Sequence, residues 1–185
     1  MPIKIYLDAG HNPENPNAGA EGNGLREQDI TFDVAMRTAL LFESDPDYET
    51  RLSRPNPEII LGTSNVTSLA ARTNDANTWG ADYFISIHTN ASTFRTATGS
   101  ECYVYSINSP SFGLAGQILS ALHEFTGLPT RGIFTRPSLF VLRKTKMPAV
   151  LVELGFITNT NDAALMSEHP DLFAGALYSG ITRYT

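Results

Sequence analysis

The chain has 185 residues, 42% of them apolar and 17% charged, and a formal net charge of −6 at pH 7. This suits one soluble domain over 1–185 and argues against nucleic acid as a partner, whose phosphates call for a basic excess. The single cysteine, Cys102, excludes an intrachain disulfide and a Cys-rich metal site, and no run of about 18 apolar residues offers a membrane span.

In chain order, Ile3, Ile5 and Leu7 alternate as a β-strand that runs into His11. The segment His11 to Gly24 is a turn-rich loop. A dinucleotide fingerprint would need glycine where Glu27 stands, and the Gly-Lys-Ser/Thr of a Walker loop is absent. A helix is predicted from Leu25 to about Phe42, with Leu25, Phe32, Ala35, Met36, Ala39 and Leu40 on its apolar face. Glu27 sits in its first turn, where a carboxylate often serves only the helix dipole. Asp47 to Leu52 reads as the second strand. A Pro/Asn/Thr-rich connection leads to a helix with Ser68 as N-cap and Gly80 as its end. Ala81 to Asn90, ADYFISIHTN, is the central strand and delivers His88 at its C-terminal end.

After a polar loop come a strand, Glu101 to Tyr105, and an amphipathic helix opened by Ser109 and Pro110 and closed by Gly127. Its stripe of Phe112, Ala115, Ile118, Leu119, Leu122 and Phe125 is core, and His123 lies off it. Leu139 to Leu142 and Ala149 to Val152 read as two more strands, the second ending at Glu153. Asp162 to Glu168 and Asp171 to Tyr184 close the chain as helices. No acidic residue lies between Phe125 and Val152, where Arg131, Arg136, Arg143, Lys144 and Lys146 cluster. That run is a solvated face or a surface for an anionic polymer.

One histidine at a strand end is ordinarily structural. Here three strands end in His11, His88 and Glu153, at the edge where open α/β sheets place their chemistry. Amide hydrolysis needs a nucleophile at neutral pH, which a zinc ion on three protein ligands supplies by acidifying water, together with a carboxylate to move the proton. Two histidines and two glutamates, Glu27 and Glu153, are the groups available. No G-x-S-x-G elbow competes with them. A His-x15-Glu-x60-His spacing is no short signature by itself. Glu153 in a structural ion pair with the basic run is the alternative reading of that residue, and Asp8 is the next candidate proton carrier.

The motifs LDAGHNP, GLREQD, the arginine of RLSRP, LAARTNDAN, FISIHTNAS and VLRKTKMPAVLVELGFITN occur in the order found in zinc-dependent N-acetylmuramoyl-L-alanine amidases, the bacterial cell-wall amidases and phage endolysin catalytic domains. The chain resembles that family over nearly its whole length. The resemblance implies an α/β fold with a mixed, mostly parallel sheet and helices on both faces. It implies Zn2+ held by His11, Glu27 and His88, with Glu153 as catalytic acid/base. The implied substrate is peptidoglycan, cut between the lactyl group of N-acetylmuramic acid and the L-alanine of the stem peptide. One departure is Asn12, where the family commonly has glycine. Two other functions share the ligand set: a zinc peptidase acting on wall or other peptides, and a wall-binding module with a relic zinc site. MPIKIYLDAGH lacks the basic start and apolar run of a signal peptide, so either release to the wall by lysis or a holin is expected, or a signal that is not part of this chain; a monomer is expected for the catalytic domain.

Overall fold

The computed structural model describes residues 1–185. Its eight strands are β1 Ile3–Ala9, β2 Glu21–Gly22, β3 Leu25–Arg26, β4 Tyr48–Leu52, β5 Tyr83–Asn90, β6 Ser100–Val104, β7 Thr130–Thr135 and β8 Ala149–Phe156. The helices are α1 Glu27–Glu43, α2 Asn65–Trp79, α3 Pro110–Thr126, α4 Phe140–Lys144, α5 Thr160–Glu168 and α6 Pro170–Thr182. Six strands form one sheet in the order β4-β1-β5-β8-β6-β7, and β2 and β3 make a small separate ribbon. Every pairing in the large sheet is parallel except β6 with β8.

Strand periodicity sorts the apolar residues onto two faces. Ile5, Leu7, Ile85, Ile87, Val150, Val152, Cys102 and Val104 pack with α1, α3 and α6 into the larger core. Tyr6, Phe84, Ala149 and Leu151 face the other way, onto Ala76 of α2 and Val141 and Leu142 of α4. The sheet is therefore mixed, mostly parallel and covered on both faces.

Several predicted elements differ in detail. Leu139 to Leu142 is not a strand: the backbone turns there and Phe140–Lys144 is a short helix, with Arg143 N–H donating to the Leu139 carbonyl. A four-residue apolar run fits a buried helical turn as well as a strand, and α4 uses it to cover the α2 side of the sheet. The edge strand β7 has no apolar alternation to betray it, being half-exposed with Gly132 at φ 122°. Helix α1 begins at Glu27 because Leu25 and Arg26 belong to the β2–β3 ribbon. Its buried face runs through Glu27, Ile30, Thr31, Val34, Ala35, Thr38 and Phe42, while Leu40 is exposed. The cap of α2 is Ser64, whose hydroxyl accepts the Thr67 N–H at 3.2 Å, and Ser68 is buried one turn further on. Gly80 and Gly127 end α2 and α3 in the left-handed conformation, as expected.

Candidate active site

Positions that pair across parallel strands share a face. His88 of β5 lies opposite Glu153 of β8, and Glu153 lies opposite Glu101 of β6. These three groups form a row across the sheet on the α2/α4 face. Strand β8 runs longer than expected, continuing to Phe156, so Glu153 lies inside the strand rather than at its end.

His11 follows β1 by two residues and adopts φ 66°, a left-handed conformation that a side chain enters only when its surroundings impose it. The neighbouring Gly10 N–H donates to the Ile87 carbonyl at 3.0 Å, and the Gly10 carbonyl accepts from Thr31 Oγ1 of α1 at 2.9 Å. A Cβ at Gly10 would lie 2.6 Å from both His88 Cε1 and the Ile87 oxygen, so this backbone approach requires glycine. Arg72 of α2 holds the turn from below. Its buried guanidinium donates to Asp8 Oδ1 and the Ala9 carbonyl, each at 2.6 Å, to Asn12 Oδ1 at 3.2 Å, and to the His11 carbonyl.

Asn12 therefore has work of its own. Besides accepting from Arg72, its amide donates to the carbonyls of Pro16 at 2.6 Å and Leu61 at 3.0 Å, tying the first loop to the α2 approach. The sequence showed only a departure from the family pattern at this residue.

Glu27 is buried between the two histidines. Its Oε2 lies 3.1 Å from His11 Nε2 and its Oε1 lies 3.0 Å from His88 Nδ1, while the N–H groups of Ala20 and Thr89 donate to the two oxygens. One ligand atom from each of His11, Glu27 and His88 can be chosen so that all lie within 4.8 Å of one another. Burial alone would raise the Glu27 pKa; the two imidazoles outweigh it and hold the carboxyl well below its usual range. His11 Nδ1 is buried without a partner. Two imidazoles and a carboxylate without thiolate are a donor set that zinc accepts in sites with an open position, and the orphaned imidazole nitrogen fits a centre built for a cation.

Glu153 is different in kind. Its Oε2 is buried with no hydrogen-bond partner, and no ion pair from the basic run reaches it. Burial, reinforced by the negative charges of Glu27 and Glu101, pushes its pKa up to about 8, against a small opposing pull from Arg136. A carboxyl kept near neutral pH is suited to exchanging protons. Asp8 is not: Arg72 and a 2.7 Å hydrogen bond from Ser86 overcome the effect of burial and lower its pKa, so it is a fixed anion under the His11 turn.

Two histidines and a carboxylate beside a half-buried acid, at the edge of an α/β sheet, define a candidate metal-dependent hydrolytic centre. The family model described as N-acetylmuramoyl-L-alanine amidase matches residues 5–183, and the chain belongs to that family. It is 38% identical over 164 residues to N-acetylmuramoyl-L-alanine amidase CwlM of Bacillus licheniformis, covering 87% of this chain and 59% of that protein. It is 33% identical over 170 residues to the endolysin of Bacillus phage SPP1, covering 89% and 58%. The chain thus spans about three fifths of the length of these relatives. Its fold superposes on the crystal structure of an N-acetylmuramoyl-L-alanine amidase from Clostridium difficile 630 with a TM-score of 0.88 at 28% identity, covering 99% of this chain and 96% of that one.

Proposed function

We propose that this chain is a zinc-dependent peptidoglycan amidase that hydrolyses the bond between the lactyl group of N-acetylmuramic acid and the L-alanine of the stem peptide. The observation that carries the reading is the convergence of His11, Glu27 and His88 beside the unpartnered carboxyl of Glu153.

His11, Glu27 and His88 would hold the ion. Zinc there supplies Lewis-acid polarisation of the amide carbonyl and acidifies water at neutral pH. The chain's own part is proton management and positioning. Glu153 accepts the proton of the attacking water and passes it to the departing alanine nitrogen, so one carboxyl acts first as base and then as acid. The hydrogen bonds of Ala20 and Thr89 fix the carboxylate plane of Glu27, and the Arg72 clamp fixes the His11 backbone. The site of action is the cell wall. No helix is long and apolar enough to cross a membrane.

Digestion of purified cell wall tests the bond. Release of new α-amino groups on alanine without new reducing sugar ends is expected. Reducing ends would make the enzyme a glycosidase, and amino groups on other stem residues would make it a peptidase.

A further inference from the structure

Beyond Glu153 the α2/α4 face of the sheet loses its helical cover, and β6 and β7 expose a trough of about 400 Å³ lined by Glu101, Tyr103, Arg131, Phe134, Thr135 and Arg136. Its polar groups divide unequally. Glu101 is buried and fully engaged: Arg131 Nε donates to it at 2.7 Å, Asn90 Nδ2 at 2.7 Å, and the Tyr103 hydroxyl also donates to it. Arg136 carries the trough's remaining charge. It has no acidic partner, and its guanidinium lies 4.9 Å from the centre of the Tyr103 ring, which Phe134 flanks at 5.9 Å. A cation stacked on an aromatic ring keeps its planar fork open for an anion. The trough as a whole is thus electropositive and contiguous with the catalytic row.

We infer that Arg136 forms a subsite for a free carboxylate on the peptide side of the cleaved amide. This rests on the amidase reading above and adds the orientation of the substrate. The lactyl carboxyl is consumed in the amide, which leaves no ionised group on the sugar side of the bond; the stem peptide does carry carboxylates. The line from His88 through Glu153 and Glu101 to β7 crosses three strand spacings, about 14 Å at ~4.8 Å each. An extended peptide advances about 3.4 Å per residue. With the reach of an arginine side chain, the carboxylate it meets lies about two to four residues beyond the cut. Tyr103 and Phe134 would floor that path with apolar surface.

The test uses soluble N-acetylmuramoyl peptides of two to four residues in matched pairs, each pair differing only in whether one carboxyl is free or amidated. Zinc-loaded wild-type protein should cleave the free-acid member of one pair with a kcat/KM about tenfold higher, the low end of what a hydrogen bond to a charged group is worth. In Arg136→Met that ratio should fall to near one, and Arg136→Lys should keep part of it. A wild-type ratio near one in every pair overturns the subsite. So does an Arg136→Met protein in which both substrates slow together at an unchanged ratio, which is what a merely structural arginine would produce. Failure of the wild type on all substrates, free or amidated, would instead sink the amidase reading and the subsite with it.

Discussion

Replacing Arg72 with methionine should damage the site from outside it. The Arg72 and Asp8 side chains are each 1% exposed and meet at 2.6 Å. Removing the guanidinium strands a buried carboxylate whose remaining hydrogen bond is the one from Ser86. Breaking a buried pair in this way costs about 3–5 kcal/mol, a large share of the roughly 5–15 kcal/mol that holds a domain folded. A second cost is specific to function. The carbonyls of Ala9 and His11 lose their donor, and His11 is released from a left-handed conformation worth about 1–2 kcal/mol of strain. Loss of such a support lowers metal affinity by about 10–100-fold. Urea unfolding of metal-free protein reads the first effect, and competition titration with a zinc chelator of known affinity reads the second. The double variant Asp8→Asn with Arg72→Met should regain part of the stability, because no buried charge is left orphaned, yet still bind zinc weakly. An Arg72→Met protein that is destabilised but binds zinc with wild-type affinity would refute the positioning role.

Gly10→Ala places a methyl group 2.6 Å from the His88 ring and the Ile87 oxygen, so the ring or the β1–β5 pairing must yield; weaker zinc binding is expected by the same titration. His88→Ala should lose most of its zinc, and chelation of the wild type should abolish wall lysis, with restoration on adding zinc. A His88→Ala protein that retains one zinc per chain would contradict the first statement, and full lysis by metal-free protein the second. The raised pKa of Glu153 gives metal-free protein a pH signature. Between the ordinary carboxyl value of 4.5 and about 8 the folded state binds the extra proton, so this group's contribution to stability falls as pH rises through that window. The penalty at alkaline pH is on the order of a few kcal/mol, and Glu153→Gln should flatten that part of the profile in urea unfolding at successive pH values.

The candidate catalytic edge was legible because β1, β5 and β8 write themselves in apolar residues and each leads to a polar group: Ile3 to Leu7 to His11, Phe84 to Ile87 to His88, Ala149 to Val152 to Glu153. Glu27, the candidate ligand from α1, stood among the available carboxylates, but its role as a ligand was legible only through the family resemblance. Glu27 breaks the apolar pattern of its helix, and the face assigned from periodicity was rotated away from the one that is buried, since Thr31 and Thr38 are buried and Leu40 is not. Strand β7 was missed because an edge strand with a polar, glycine-containing sequence has no period to detect, and Leu139 to Leu142 was misassigned because four apolar residues are too few to distinguish a strand from a helical turn. The Arg72 clamp and the anchoring role of Asn12 were not readable at all: both depend on which carbonyls the fold brings within reach, and carbonyls are the same in every residue.

The sharpest test of the proposed chemistry is Glu153→Gln, compared with wild type on a soluble N-acetylmuramoyl peptide after both are loaded with zinc. The amide keeps the shape of the carboxyl and cannot accept the proton. One zinc per chain should be retained while kcat falls by roughly two to four orders of magnitude, the usual worth of general acid/base catalysis. A folded, zinc-loaded Glu153→Gln protein that turns over at the wild-type rate would show that the proton travels by another group.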